Sequence, residues 1–313
     1  MTPSYRIVFM GTPEFAVPAL KNLYRSGHKV LQVVTQPDRP KGRGKTVVFP
    51  PVKEAAMELG CPIIQPQSIR TQDFCNVMTR LDPDIFVVAA YGHVLPQQIL
   101  AIPRMGAINI HASLLPKYRG AAPIQWAVIN RELETGVTLM LMDKGLDTGD
   151  MLLSASVPIL SDDTSGSLHD RLALLGADLL IQILNYYEIH RKSATPQVHE
   201  QASYAPLLKK EDGHLDWRQT ADELEARIRG LTPWPGAFCF YNGKRIKIYR
   251  ACQKPIVTME SPGTVLKGFS NELTVATGRY ALVIQDLQGD SGKRLSVHDF
   301  LRGHPILPGA LLT

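Results

Sequence analysis

Residues 85–90 read Ile-Phe-Val-Val-Ala-Ala, an unbroken apolar run between Asp84 and Tyr91. A run of this length is too short for a buried helix and lacks the alternation of a half-exposed strand. It fits a central parallel strand covered on both faces. The surrounding chain agrees. Residues 5–10, 29–35, 61–64, 107–111, 136–142 and 151–157 also read as strands. Between the first two strands, Thr12 and Pro13 suit the cap and first position of a helix that ends near Ser26-Gly27. A shorter helix is expected at 52–59. Strands alternating with helices predict a Rossmann-like, mostly parallel sheet with helices on both faces.

The pattern changes further along. Leu168, Leu172, Leu175, Leu179, Ile183 and Tyr187 recur at helical spacing and predict a long helix that closes the first domain. Residues 190–206 are polar, contain Pro196 and Pro206, and read as a linker. After a helix near 221–229, short strands are expected at 238–241, 245–251, 263–266, 273–276 and 281–287, with Asn242-Gly243 marking a tight hairpin. That density of short strands predicts a small β-barrel of the OB-like type. The expected division is 1–189, a linker at 190–206, and 207–313.

Charge follows the same division. Residues 1–190 carry 17 Lys+Arg and 17 Asp+Glu, while residues 191–313 carry 17 and 12. The whole excess of +5 therefore lies in the rear of the chain, which suggests a polyanionic partner there. A cationic surface without a partner would look the same. Lys244, Arg245, Lys247 and Arg250 cluster around one expected strand, where Arg245 and Lys247 share a face and could track a phosphate backbone.

Several classes are excluded. Gly11-Thr12-Pro13-Glu14-Phe15 lacks the later glycines of a dinucleotide-binding turn. Gly44-Lys45-Thr46 resembles the end of a phosphate-binding loop, but Arg39 stands where its first glycine should be. Cys61, Cys75, Cys239 and Cys252 form no Cys-x-x-Cys pair, so neither a zinc ribbon nor a dense disulfide framework is expected. No apolar run approaches the ~18 residues of a membrane span, and the start of the chain does not read as a secretory leader, so a cytoplasmic protein is expected.

The polar residues of strand 107–111 stand out. Asn109 and His111 point to one face and Ile108 and Ile110 to the other, so two polar side chains emerge together on a strand that should be buried. Ligands of open parallel sheets bind at the carboxyl ends of the strands. A hydrogen-bonded structural pair remains the alternative. An ordered loop follows at 113–124, rich in Pro and small residues. Further on, a turn at 143–150 carries Asp143, Asp147 and Asp150. One of these acids could be a general base, although acidic residues are also ordinary in turns.

Taken together, these segments resemble a family. His111-Ala112-Ser113-Leu114-Leu115-Pro116, Arg119-Gly120-Ala121-Ala122-Pro123-Ile124 and Leu146-Asp147-Thr148-Gly149 resemble the folate-dependent formyltransferases. Three further segments narrow the likeness to the branch that acts on methionyl-tRNA. They are Gly11-Thr12-Pro13-Glu14-Phe15-Ala16-Val17-Pro18, the basic stretch from Gln36 to Lys45, and Pro233-Trp234-Pro235-Gly236-Ala237.

The resemblance implies Asn109, His111 and Asp147 as the catalytic trio and Ser113, Leu114, Leu115 and Pro116 as the stretch beside 10-formyltetrahydrofolate, a co-substrate. It implies Arg39, Lys41, Arg43 and Lys45 as tRNA contacts, with initiator methionyl-tRNA as the partner, no metal, and a monomeric enzyme. The implied chemistry is formyl transfer from N10 of the folate to an α-amine. Asn109 and His111 would donate to the tetrahedral oxyanion. Asp147 would orient His111 or take a proton through water.

Overall fold

The computed structural model describes residues 4–41, 46–268, 272–290 and 292–313. The strands in the first two-thirds of the chain are β1 (Arg6–Gly11), β2 (Lys29–Val34), β3 (Arg39–Lys41), β4 (Thr46–Val48), β5 (Ile63–Ile64), β6 (Ile85–Ala89), β7 (Ala107–His111), β8 (Arg119–Gly120), β9 (Glu134–Leu141), β10 (Met151–Pro158) and β11 (Tyr204–Ala205). Those that follow are β12 (Ala237–Tyr241), β13 (Lys244–Lys254), β14 (Leu273–Ala276), β15 (Ala281–Gln288) and β16 (Leu295–Ser296). The helices are α1 (Val17–Arg25), α2 (Pro51–Glu58), α3 (Gln72–Leu81), α4 (Gln97–Leu100), α5 (Pro123–Ile129), α6 (Ser165–Asn185), α7 (Tyr187–Lys192), α8 (Ala221–Leu231) and α9 (Val297–Gly303). The chain divides into two compact units. One comprises Met1–Pro123, Thr135–Val157 and His169–Ala205; the other comprises Ile124–Glu134, Pro158–Leu168 and Pro206–Thr313.

Among the described residues of the first unit, a seven-stranded sheet has the order β10-β9-β7-β6-β1-β2-β5. The pairs from β5 through β7 are parallel, and β9 runs antiparallel to β7. The apolar run at 85–90 becomes β6, buried at every residue between β1 and β7. Helix α3, capped by the Thr71 hydroxyl on the Phe74 N–H, supplies Phe74 and Met78 to a cluster with Val8, Met10, Phe86 and Val88. Burying such side chains contributes about 1.5–3 kcal/mol each. On β7, Gly176 of α6 lets the helix approach closely, since a Cβ there would lie 2.7 Å from Cγ2 of Ile110. The Ile face of β7 is thereby covered, and Asn109 and His111 project from the opposite face.

One local expectation is corrected and two segments gain detail. Thr12 caps no helix: its hydroxyl donates to the Tyr91 carbonyl, and a 3-10 turn at Glu14–Ala16 precedes α1. The basic stretch from Arg39 begins on β3, which pairs antiparallel with β4. Residues 190–205 fall within the first unit. Thr195 and Met151 exchange both backbone hydrogen bonds, at 2.8 and 2.9 Å, and β11 pairs in parallel with β8.

In the second unit, β12-β13-β15-β14, with β16 on β15, form an antiparallel sheet that curls into a half-barrel. Helix α8 opens on a capping box between Thr220 and Glu223. The strand expected at 263–266 is instead a run of isolated bridges, Thr264 to Leu311 and Val265 to Val275. At its start Gly263 has a φ of +92°, and a Cβ there would collide with the Leu312 carbonyl.

Candidate active site

Strand β7 sets the site. It lies between β6 and β9, and Asn109 is the half-buried residue in an otherwise buried strand. Because β9 is antiparallel, it ends opposite Ile108, and the turn to β10 then folds back along the polar face of β7. That turn carries Asp147 to both residues. Asn109 Nδ2 donates to Asp147 Oδ1 at 3.4 Å, and His111 Nδ1 lies 3.6 Å from Asp147 Oδ2. The three residues named from the sequence are therefore together. His111 is 6% and Asp147 13% exposed, so a charge on the carboxylate is only weakly screened by water.

The remaining partners fix the roles open to each group. The Gly120 N–H donates to Asp147 Oδ2 at 2.8 Å. His111 Nε2 lies 3.0 Å from the Tyr118 carbonyl; a carbonyl only accepts, so Nε2 carries a proton. Nδ1 is left facing the carboxylate. In the neutral ring Nδ1 is therefore a lone pair facing the Asp147 carboxylate. Asp147 itself has φ +52°, a left-handed conformation that aspartate tolerates better than most residues.

The stretch from Ser113 to Pro116 is anchored from within. The Ser113 hydroxyl donates to the Lys117 carbonyl at 2.7 Å, and Thr138 joins two backbone groups by donating to the Ser113 carbonyl and accepting from the Leu115 N–H. Ser113 and Leu115 are buried; Leu114 and Pro116 are half-buried. Of the basic stretch, Arg39 is exposed and donates to Gln36 Oε1 at 3.1 Å, Lys41 lies on β3, and Arg43 and Lys45 lie outside the described residues. In the second unit, Arg245 and Lys247 alternate with the buried Ile246 and Ile248 and so share a face. The Arg245 guanidinium rests 3.6 Å from the Phe238 ring centroid, and the exposed His214 stacks on the same ring at 5.3 Å.

Comparison with known proteins bears on all of this. Residues 5–184 match the formyl transferase family and residues 207–305 the formyl transferase C-terminal domain. A methionyl-tRNA formyltransferase of Caldanaerobacter subterraneus is 50% identical over 98% of this chain and 99% of its own. That of Pelotomaculum thermopropionicum is 51% identical over 98% of each. The chain belongs to the methionyl-tRNA formyltransferase family. Members of the wider fold are similar in shape alone. HypX from Aquifex aeolicus, solved with tetrahydrofolic acid, superposes with a TM-score of 0.63 at 17% identity, over 99% of this chain and 51% of that one. An N-formyltransferase from Helicobacter canadensis gives 0.66 at 18%, over 90% and 98%.

Residues that touch Asn109, His111 and Asp147 include some with no sequence signal. Gly120 was visible within Arg119-Gly120-Ala121-Ala122-Pro123, but nothing in the order of residues says that its N–H meets Asp147. Gln197, whose amide donates to the Asp147 carbonyl at 2.9 Å, sits in a segment without periodicity.

Proposed function

We propose that this enzyme transfers the formyl group of 10-formyltetrahydrofolate to the α-amine of initiator methionyl-tRNA, giving N-formylmethionyl-tRNA for translation initiation. The observation that carries the chemistry is the convergence of Asn109, His111 and Asp147 on one face of β7. An α-amine has a pKa near ~7.7–8.0, so a useful fraction is neutral at pH 7 and able to attack the formyl carbon. The attack creates a tetrahedral centre with a negative oxygen. The Asn109 amide, whose bond to Asp147 is long, has an N–H to give it. One such donor is typically worth ~2.7–4 kcal/mol. The proton lost from the amine is taken by the Asp147–His111 pair through water, and N10 of the folate leaves with a proton.

The folate would lie beside Ser113–Pro116, where Leu114 and Pro116 offer half-buried apolar surface suited to an aromatic ring. Catalysis resides in residues 1–189, with the tRNA held by 207–313 and by Arg39, Lys41, Arg43 and Lys45. Arg245 and Lys247 would contribute phosphate contacts. The enzyme acts as a cytoplasmic monomer. No helix among the described residues is long and apolar enough to cross a membrane.

The test follows both products. Purified enzyme is mixed with 10-formyltetrahydrofolate and methionyl-tRNA, and tetrahydrofolate and N-formylmethionine are counted after deacylation. Equal amounts are expected. Tetrahydrofolate released without N-formylmethionine would identify a hydrolase instead.

A further inference from the structure

Behind Asp147 lies a hydrogen-bonded relay that the chemistry above does not use. Arg119 is 2% exposed, a buried cation on the short strand β8. Its Nε and Nη2 both donate to Gln197 Oε1, at 3.1 and 2.7 Å, and Nη1 and Nη2 each lie 3.2 Å from Nδ1 of His199. Gln197 is 5% exposed and passes the contact on. Its Nε2 donates to the Asp147 carbonyl at 2.9 Å and to the Gly149 carbonyl at 2.8 Å. The amide has one possible orientation here: a guanidinium only donates, so Oε1 must face it, and carbonyls only accept, so Nε2 must face them.

Building on the formyl-transfer reading, we propose that Gln197, locked by Arg119, is a positioning residue for Asp147. The two carbonyls it grips bracket the Asp147-Thr148-Gly149 turn. Asp147 is left-handed at φ +52°, and these two bonds to the carbonyls of Asp147 and Gly149 hold the backbone of its turn. With its backbone fixed, Asp147 can aim at the Gly120 N–H, Asn109 and His111 together. The same segment also holds the loop that supplies Gly120. The Tyr118 N–H donates to the Ser203 hydroxyl, the Arg119 N–H to the Ser203 carbonyl, and the Ala121 and Ala122 N–H groups to the Ala205 carbonyl. The stretch 195–205 is thus a strap across the back of the active site.

Gln197→Glu separates positioning from mere structure. The introduced carboxylate keeps, and strengthens, the acceptor facing Arg119, but it offers no N–H and sets a negative oxygen against two carbonyls. The gained charge pair with Arg119 offsets part of the two lost hydrogen bonds, so the thermal midpoint should fall only modestly while kcat falls by about 10²-fold, the loss typical of slight misplacement. KM for folate and for tRNA should stay within about twofold, because Gln197 touches neither substrate. In an Asp147→Asn background the same change should cost less than about threefold, since residues acting as a unit are not additive. If Gln197→Glu does not fold, Gln197→Met is measured in its place; if neither folds, Gln197 is core and the proposal is overturned. A kcat within about threefold of wild type, or an undiminished loss in the Asp147→Asn background, also overturns it. Wild-type enzyme that fails to formylate methionyl-tRNA would instead refute the functional reading.

Discussion

Asp147→Asn is nearly isosteric and should leave the fold in place, because asparagine accepts the left-handed φ of +52° as readily as aspartate does. What changes is the bonding. In the native site Oδ2 accepts from the Gly120 N–H at 2.8 Å and Oδ1 accepts from Asn109 at 3.4 Å. An asparagine that keeps its oxygen on Gly120 turns an NH₂ towards the Asn109 NH₂, donor against donor. The flipped rotamer aims a donor at the Gly120 N–H. Either way one hydrogen bond to a charged acceptor is lost, a net ~1.5–3 kcal/mol of local stability. In a domain of this size that corresponds to a fall of roughly 3–12 °C in Tm, at ~2–4 °C per kcal/mol. The catalytic loss is larger. Removing a positioned proton acceptor costs about 10²–10⁴-fold, or ~2.7–5.4 kcal/mol of transition-state stabilisation. Single-turnover formylation of methionyl-tRNA, with Tm recorded on the same preparations, separates the two. A folded Asp147→Asn enzyme with kcat within about threefold of wild type would refute the role of the carboxylate.

Gly120→Ala should damage both stability and activity. The φ of +119° disfavours any Cβ, and the added methyl would stand 2.8 Å from the Ala205 carbonyl; ~1–3 kcal/mol of destabilisation by thermal melt is expected, with no loss refuting the packing. Arg245→Ala and Lys247→Ala should differ. The first removes a guanidinium from the Phe238 face and costs ~0.5–2 kcal/mol of stability. The second should leave Tm unchanged and reduce the salt slope of tRNA binding by up to ~0.9 per lost phosphate contact. A pH dependence of stability comes from His28, whose pKa burial holds below the usual histidine value and whose Nδ1 accepts the Tyr5 N–H. The unfolded chain binds this proton more readily than the native one, so the stabilisation is full above ~6.5 and is lost as pH falls through the lower native value. His28→Phe, which keeps an aromatic ring stacked on Tyr5, should flatten that acid limb in Tm-versus-pH curves, and an unaltered limb would assign it elsewhere.

The parts of the molecule legible in its sequence are those where one local rule dominates. The apolar run of β6 and the alternation along β7 reported both the sheet and the polar pair on it, because burial on a strand is periodic. Partner identity was not legible in this way. The antiparallel course of β9, which brings Asp147 back along β7, depends on long-range pairing. The roles of Gln197 and His199 depend on a segment whose polar, proline-containing sequence reads as a spacer. Its order comes from bonds to residues some 50–80 positions away. Gly263 is a similar case. The composition of 263–266 favours a strand, but the segment pairs through bridges at Thr264 and Val265, beside a Gly263 with a positive φ.

The central claim is that the acceptor amine is the one on initiator methionyl-tRNA. Labelled formyl transfer from 10-formyltetrahydrofolate, measured side by side for initiator methionyl-tRNA, elongator methionyl-tRNA and free methionine, tests it most directly. The expected result is rapid labelling of the initiator species, slow labelling of the elongator species and none of the free amino acid. Equal labelling of free methionine would mean that the tRNA body contributes nothing to recognition, and the account of this enzyme would be wrong.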